Sequence, residues 1–281
     1  MTPTEEYTKK RLEAEELIRQ YAPARLQEQL IVLLRPAIAL TATRADDAQI
    51  PIGASKFGGA PDVPEGFEWP MWNHEPLGFL AQISLEEVAP FDVQGTLPHQ
   101  GLLSFFYDVK KQPSGSSQEK NGWRVFLHTA EIKRASRSSA SPCALLNGEL
   151  RFTLPTDFEC FPELGLTIND CLRTGDWALL GELDKFLVPL SNQILGHPNV
   201  VQRNPGVEVE GAWRDFLNEG YSSDWSLLEE AADKWLLLFQ MSSEEEVSAM
   251  WGDVGTIYFM IRPEDLESHN FENVWLTLQC S

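Results

Sequence analysis

Two distant stretches of this chain echo one another, and a repeat constrains a fold more than any single residue does. The first is FLAQISLEEV from Phe79, followed by GLLSFFYDV from Gly101; the second is LLFQMSSEEEV from Leu237, followed by GTIYFMI from Gly255. In each, an apolar strand ends on Gln, an aliphatic residue and Ser. Acidic residues and a Val follow, and a Gly then opens a second apolar strand. The Gln-to-Gly spacing is 19 positions in the first stretch and 15 in the second. The reading is of two related halves, about 36–155 and 156–281, that pack sheet against sheet or join one sheet. Chance likeness between apolar strands is the competing explanation.

The 35 residues ahead of these halves have a different texture. Thr2, Pro3 and Glu5 form a capping-box pattern, and apolar residues recur at helical spacing to Tyr21 and again from Leu26 to Leu34. Helices are predicted over about 3–21 and 24–34. From Ala37 onward short strands dominate: 37–43, 77–83, 101–109, 123–130, 149–154, 235–241, 255–261 and 273–280. Helices are expected at 176–187, 211–221 and 224–234, with a short helical turn at 263–268. KKQPSGSSQEKNG (110–122) reads as a mobile hairpin loop, and GHPNVVQRNPG (196–206) as a turn-rich loop. RASRSSASP (134–142) is a locally basic link and the one place an anionic ligand is courted, although a solvated loop is the plainer reading. Strands and helices are partly segregated, which predicts an α+β fold, β-rich and mostly antiparallel, with an internal duplication and N-terminal helices.

Charge narrows the function. Against 22 basic residues stand 42 acidic ones, a formal net charge of −20. Such a chain repels nucleic-acid phosphates and anionic membrane, so neither is expected as a partner, whereas a basic protein is favoured. The N-terminus lacks the apolar core of a signal peptide, and LIVLL and WLLLF are too short to span a bilayer. Cys143, Cys160, Cys171 and Cys280 show no CxxC spacing, which fits thiols in a reducing cytoplasm. No HxH or HExxH pair occurs, and no metal or other cofactor is expected.

SKFGGAPDVPEGFEWP, PLGFLAQI, GLLSFFYD, the HP…Q piece of GHPNVVQ, WLLLFQ, MWGDVG with IYFMI, and FENVWLTLQC run in order from about residue 50 to the C-terminus. Together they resemble the YwqG-like family of bacterial proteins, grouped as a domain of unknown function. The resemblance implies a β-rich α+β fold with an internal duplication over 36–281, and a more variable helical segment over 1–35. Relatives near toxin–immunity systems imply an interaction role. Ser84 and Ser242 stand where the family pattern often has Asp or Asn, so a carboxylate for a cation is missing from both halves.

The candidate chemistry is sparse. Gly53 and Gly58 have P-loop spacing, but Gly59-Ala60 follows where Lys and a hydroxyl residue belong. The loop reads as a rigid plug with Phe57, Trp69 and Trp72 buried; Lys56 is its ligand-binding candidate, as an anion contact. Gln82 and Gln240, at matching strand ends, either satisfy backbone groups or point into a cleft between the halves. In MWGDVG, Asp253 either fixes a turn or acts as a general base, and Trp251 is a core aromatic or a stacking platform. His197, beside Gln202, is the remaining catalytic candidate. No nucleophile–base pattern is present. The expected function is a non-enzymatic cytoplasmic module that binds a basic protein, as an immunity protein does, or a small molecule. The alternative is a hydrolase or transferase with Asp253, His197 and the glutamines converging between the halves.

Overall fold

The computed structural model describes residues 1–137, 142–155, 190–215 and 226–280. The chain opens with α1 (Pro3–Tyr21) and α2 (Gln27–Leu33). The capping box forms: Thr2 Oγ1 accepts from the Glu5 N–H and Glu5 Oε2 accepts from the Thr2 N–H, at 3.2 and 2.7 Å. Ile18, Leu26 and Leu30 then pack on Phe152 and Leu154 in a cluster separate from the main core.

The strands in chain order are β1 (Arg35–Ala45), β2 (Lys56–Phe57), β3 (Asp62–Pro64), β4 (Met71–Trp72), β5 (Glu75–Pro76), β6 (Gly78–Ser84), β7 (Leu102–Tyr107), β8 (Trp123–His128), β9 (Ile132–Arg134), β10 (Cys143–Thr153), β11 (Asn192–Leu195), β12 (Leu236–Ser242), β13 (Thr256–Ile261) and β14 (Trp275–Gln279). Among the described residues ten of them form one antiparallel sheet, in the order β14-β13-β12-β11-β1-β10-β2-β6-β7-β8. The α+β class and the mostly antiparallel sheet are therefore as expected. The helices α3 (Leu85–Val88), α4 (Pro205–Trp213), α5 (Ser226–Ala232) and α6 (Pro263–Glu267) sit in the connections. The helix expected at 176–187 lies outside the described residues. The one expected at 211–221 begins earlier, because Asn204-Pro205, read as part of a turn, is a helix start: Asn204 Oδ1 accepts from the Gly206 N–H at 2.8 Å with Pro205 in the first turn. Among the described residues no helix is long and apolar enough to cross a membrane.

The sheet rolls until its two ends meet. Phe105 on β7 lies 4.6 Å from Phe239 on β12 and 5.1 Å from Phe259 on β13, ring centre to ring centre. These strands are far apart in the sheet order, so only strong curvature brings them together. The roll is closed by side chains and a loop. Trp123 and Trp275, on the edge strands β8 and β14, meet edge-on at 5.8 Å, and both Trp123 Nε1 and Lys120 Nζ donate to the Val274 carbonyl. The loop read as mobile is pinned in this seam. Glu119 Oε2 gathers the N–H and hydroxyl groups of Ser114 and Ser116, the Ser114 carbonyl accepts from the Leu278 N–H, and the Gly115 carbonyl accepts from Trp275 Nε1. The exposed edge of β14 is thereby covered.

The two ends of the sheet also match in detail. β6 and β12 each carry one bulge, at Leu80 and Leu238, two residues before Gln82 and Gln240. The Leu85 N–H donates to the Gly101 carbonyl and the Ser243 N–H to the Gly255 carbonyl, both at 2.9 Å. β2 pairs Lys56 with Gln82, and β11 pairs Gln193 with Gln240.

Gly115 is the tightest point of the seam. Its φ is +105°, and a Cβ there would lie 1.9 Å from the Leu276 carbonyl oxygen. Gly115→Ala is expected to lower stability by about 2–3 kcal/mol in urea unfolding, from backbone strain and the displaced edge cover. A change below about 0.5 kcal/mol would show that the loop does not bind the edge.

Candidate functional site

The first half reaches the seam through the loop 54–62. The Gln82 amide sits beneath this loop, fully buried: its Oε1 accepts from the Asp62 N–H, and its Nε2 donates to the Ala54 carbonyl and to Asp62 Oδ2. Lys56 is equally buried, its ammonium 2.6 Å from Asp47 Oδ1 and 2.5 Å from the Ala60 carbonyl. Arg134 bridges Asp47 and Asp62 from outside. Burial opposes the charge on Asp47, but the bonds from Lys56 and the Ala60 N–H, with the nearby Arg134, outweigh it and hold the carboxyl below its usual range. Beside it, burial pushes the Cys143 thiol up to about 12, so this cysteine is an inert neighbour.

A related set of bonds, made by neutral groups, surrounds Gln240. Gln240 Oε1 accepts from the Asn199 N–H, and its Nε2 donates to the Leu190 and Ser191 carbonyls. Where Lys56 donates to the Ala60 carbonyl, Gln193 Nε2 donates to the His197 carbonyl at 2.8 Å. Gly58 and Gly59 have φ of +64° and +70°; Leu195 and Gly196 have +58° and +73°. ASKFGGAPD and SNQILGHPN share these two successive left-handed residues, and in each Pro and then Asp or Asn follow two residues on.

Between the two ends of the sheet lies a cavity of about 490 Å³. One wall is Leu77, Phe79 and Leu80 from β6 and the residue preceding it. The opposite wall is Met241, Val247 and Trp251 from β12 and the turn after it. All six are buried. Lys110, Lys111 and Arg137 stand at its mouth with Trp69, and Glu75 and Asp108 are its acidic residues. The Arg137 guanidinium lies 4.9 Å from the Trp69 ring centre, and the Lys111 ammonium 5.0 Å from that of Trp72. Asp108 Oδ1 accepts from the backbone N–H groups of both Lys110 and Lys111 at 3.0 Å, which fixes the turn that presents them.

A family model described as a domain of unknown function, DUF1963, matches residues 55–280. The chain belongs to the DUF1963 family. No curated protein matches it. The family match covers both sheet ends and the whole cavity, and leaves α1, α2 and all of β1 outside.

Within this DUF1963 domain the sequence candidates are dispersed. Only Trp251 lines the cavity, meeting Tyr107 edge-on at 5.8 Å. Lys56, Gln82 and Gln240 are spent on loop backbone, as above. Gln202 Nε2 donates to the Cys280 carbonyl at 2.5 Å. Asp253 is exposed in the turn between Trp251 and Gly255. His197 is buried, its Nε2 donating to the Leu33 carbonyl at 2.7 Å; burial, with the nearby Arg35, pushes it down to about 3 although that bond acts the other way. Among the described residues no group of three or more His, Cys, Asp or Glu side chains is placed to hold a metal. Lys110, Lys111 and Trp69 line the cavity without any motif that marks them as site residues in the sequence. Arg137 falls in the basic link 134–142, for which the sequence favours a solvated loop over an anion site.

Two outcomes follow for the buried groups. Asp47→Ala strands the Lys56 ammonium and is expected to cost about 3–5 kcal/mol. Lys56→Gln, which installs a neutral donor like Gln193, should cost roughly half that; equal costs in urea unfolding would contradict the assignment of the loss to a stranded charge. His197 is neutral when folded and protonates near pH 6.5 when unfolded. Its contribution is intact above that pH and falls by about 1.4 kcal/mol per unit as the pH drops from about 6.5 toward its folded value. His197→Gln should flatten the stability profile between pH 6.5 and 4, and an unchanged slope would contradict the assignment.

Proposed function

We propose that this protein is a non-enzymatic binding module that holds one small molecule in the seam cavity. The observation that carries the reading is the cavity itself. Its volume of about 490 Å³ suits a compact organic ligand, and its walls are apolar with a few polar groups at one end. Its lining includes no His or Cys among the described residues, and the catalytic candidates Asp253 and His197 are not part of it, which supports binding over a hydrolase or transferase. We also propose that the two halves arose by duplication of one unit within a YwqG-like branch of the family; the paired bulges, glutamines and loop paths support it. Free thiols at Cys143 and Cys280 support a cytoplasmic setting. A basic protein partner remains the reading that the net charge alone favours, but nothing in the seam matches it.

The test is titration with the neutral fluorophore N-phenyl-1-naphthylamine. One molecule is expected to bind per chain with enhanced, blue-shifted emission. Ala249→Trp on the cavity wall, or Val109→Trp at its mouth, should weaken binding at least about fivefold while thermal unfolding stays cooperative. Absence of saturable binding both by this probe and by an anionic probe of the same shape, or binding that neither variant alters, would overturn the proposal.

A further inference from the structure

We infer that the molecule held in the seam cavity is an organic anion, its apolar body against Phe79, Met241 and Trp251 and its anionic group among Lys110, Lys111 and Arg137. The inference deepens the binding reading above and rests on it. Its basis is where this acidic chain spends its few cations. At a net charge of −20, the mean field of the protein repels anions. Three cationic side chains nevertheless converge on one cavity mouth. The charges that matter to a bound group lie within a Debye length of about 8 Å at physiological salt, so this local cluster outweighs the distant carboxylates.

The two lining carboxylates offset part of the cluster and leave the lining one net positive charge, three cations against two anions. Asp108 is buried and its Oδ1 is committed to two backbone N–H groups of the turn. Glu75 is exposed on the β4–β5 hairpin. None of Lys110, Lys111 and Arg137 has a carboxylate partner among the described residues; Lys111 and Arg137 rest on indole faces, which hold a cation in place without neutralising it. The other basic residues near this end are used differently: Lys56 is buried against Asp47, and Arg134 is paired with Asp47 and Asp62. Two further features suit an amphiphile. Val109 and Met250 are exposed apolar side chains on the lining. Trp251 Nε1, buried in the wall, has no acceptor among the described residues. A ligand with an apolar body and one carboxylate, sulfonate or phosphate matches this division; a neutral apolar ligand would leave the cations unused.

The experiment compares two probes of nearly the same shape: 8-anilinonaphthalene-1-sulfonate, which carries an anionic group, and N-phenyl-1-naphthylamine, which does not. The sulfonate is expected to bind at least about tenfold more tightly in low salt, as three charge contacts of a few tenths to 1 kcal/mol each allow. Its advantage should shrink as sodium chloride is raised. In the triple variant Lys110→Gln, Lys111→Gln, Arg137→Gln the affinity ratio between the probes should fall toward one, and Ala249→Trp should weaken the sulfonate in the wild-type background. Equal affinities, a ratio untouched by the triple variant, or sulfonate binding indifferent to Ala249→Trp would each overturn the inference. Equal affinities with both probes blocked by Ala249→Trp leave the binding reading standing. Binding by neither probe sinks both.

Discussion

The contact of Phe105 with Phe239 fixes the rest of this architecture. An antiparallel sheet left open would present two bare edges and one apolar face. Here the apolar face turns inward on itself, and Phe57, Phe105, Phe239 and Phe259 form its centre. Once the ends of the sheet are this close, the edge strands β8 and β14 face one another without room for a ladder between them. Trp123, Trp275 and the 113–120 loop fill that seam on one side. On the other side, where β6 and the turn after β12 diverge, the space stays open as the cavity.

Each sheet end is held to its neighbouring loop by one buried amide, and the two loops differ in the chemistry around it. Gln82 and Gln240 satisfy the backbone of a loop that turns through two successive left-handed residues. In the second half the companion is Gln193, a neutral donor. In the first it is Lys56, whose charge requires Asp47, which in turn recruits Arg134 and through it Asp62. A buried ammonium costs several kcal/mol to desolvate, so it is tolerated only with this full set of partners. The network draws β9 and the start of the basic link onto the loop, and so brings Arg137 toward the cavity mouth. Lys56 itself is fully buried and bonded to Asp47 and the Ala60 carbonyl, away from the cavity lining.

Much of the fold was legible in the chain. Strand positions and the capping box at Thr2 follow from local patterns that a sheet or helix cannot avoid. The likeness of ASKFGGAPD to SNQILGHPN is hard to read in the sequence because a left-handed backbone and a carbonyl-seeking donor are supplied by different residues: Gly58 and Leu195, Lys56 and Gln193. The loop 110–122 looked mobile from its Gly, Ser and Pro content, yet those residues lie close against β14, where bulkier ones would clash. The cavity was the least legible element. Its mouth joins Lys110 and Lys111 to Arg137, residues that no periodicity relates and that meet only because the sheet rolls. His197 and Gln202 drew attention through a motif, and the motif turns out to hold backbone.

The most direct measurement of this account is a double-mutant cycle between Phe105 and Phe239, each changed to Leu, by urea unfolding. A rolled sheet predicts that the two losses are coupled by about 0.5–1.5 kcal/mol, the excess of an aromatic pair over its buried area. Simple additivity of the two substitutions would mean that the sheet ends do not meet, and the seam and its cavity would fall with that contact.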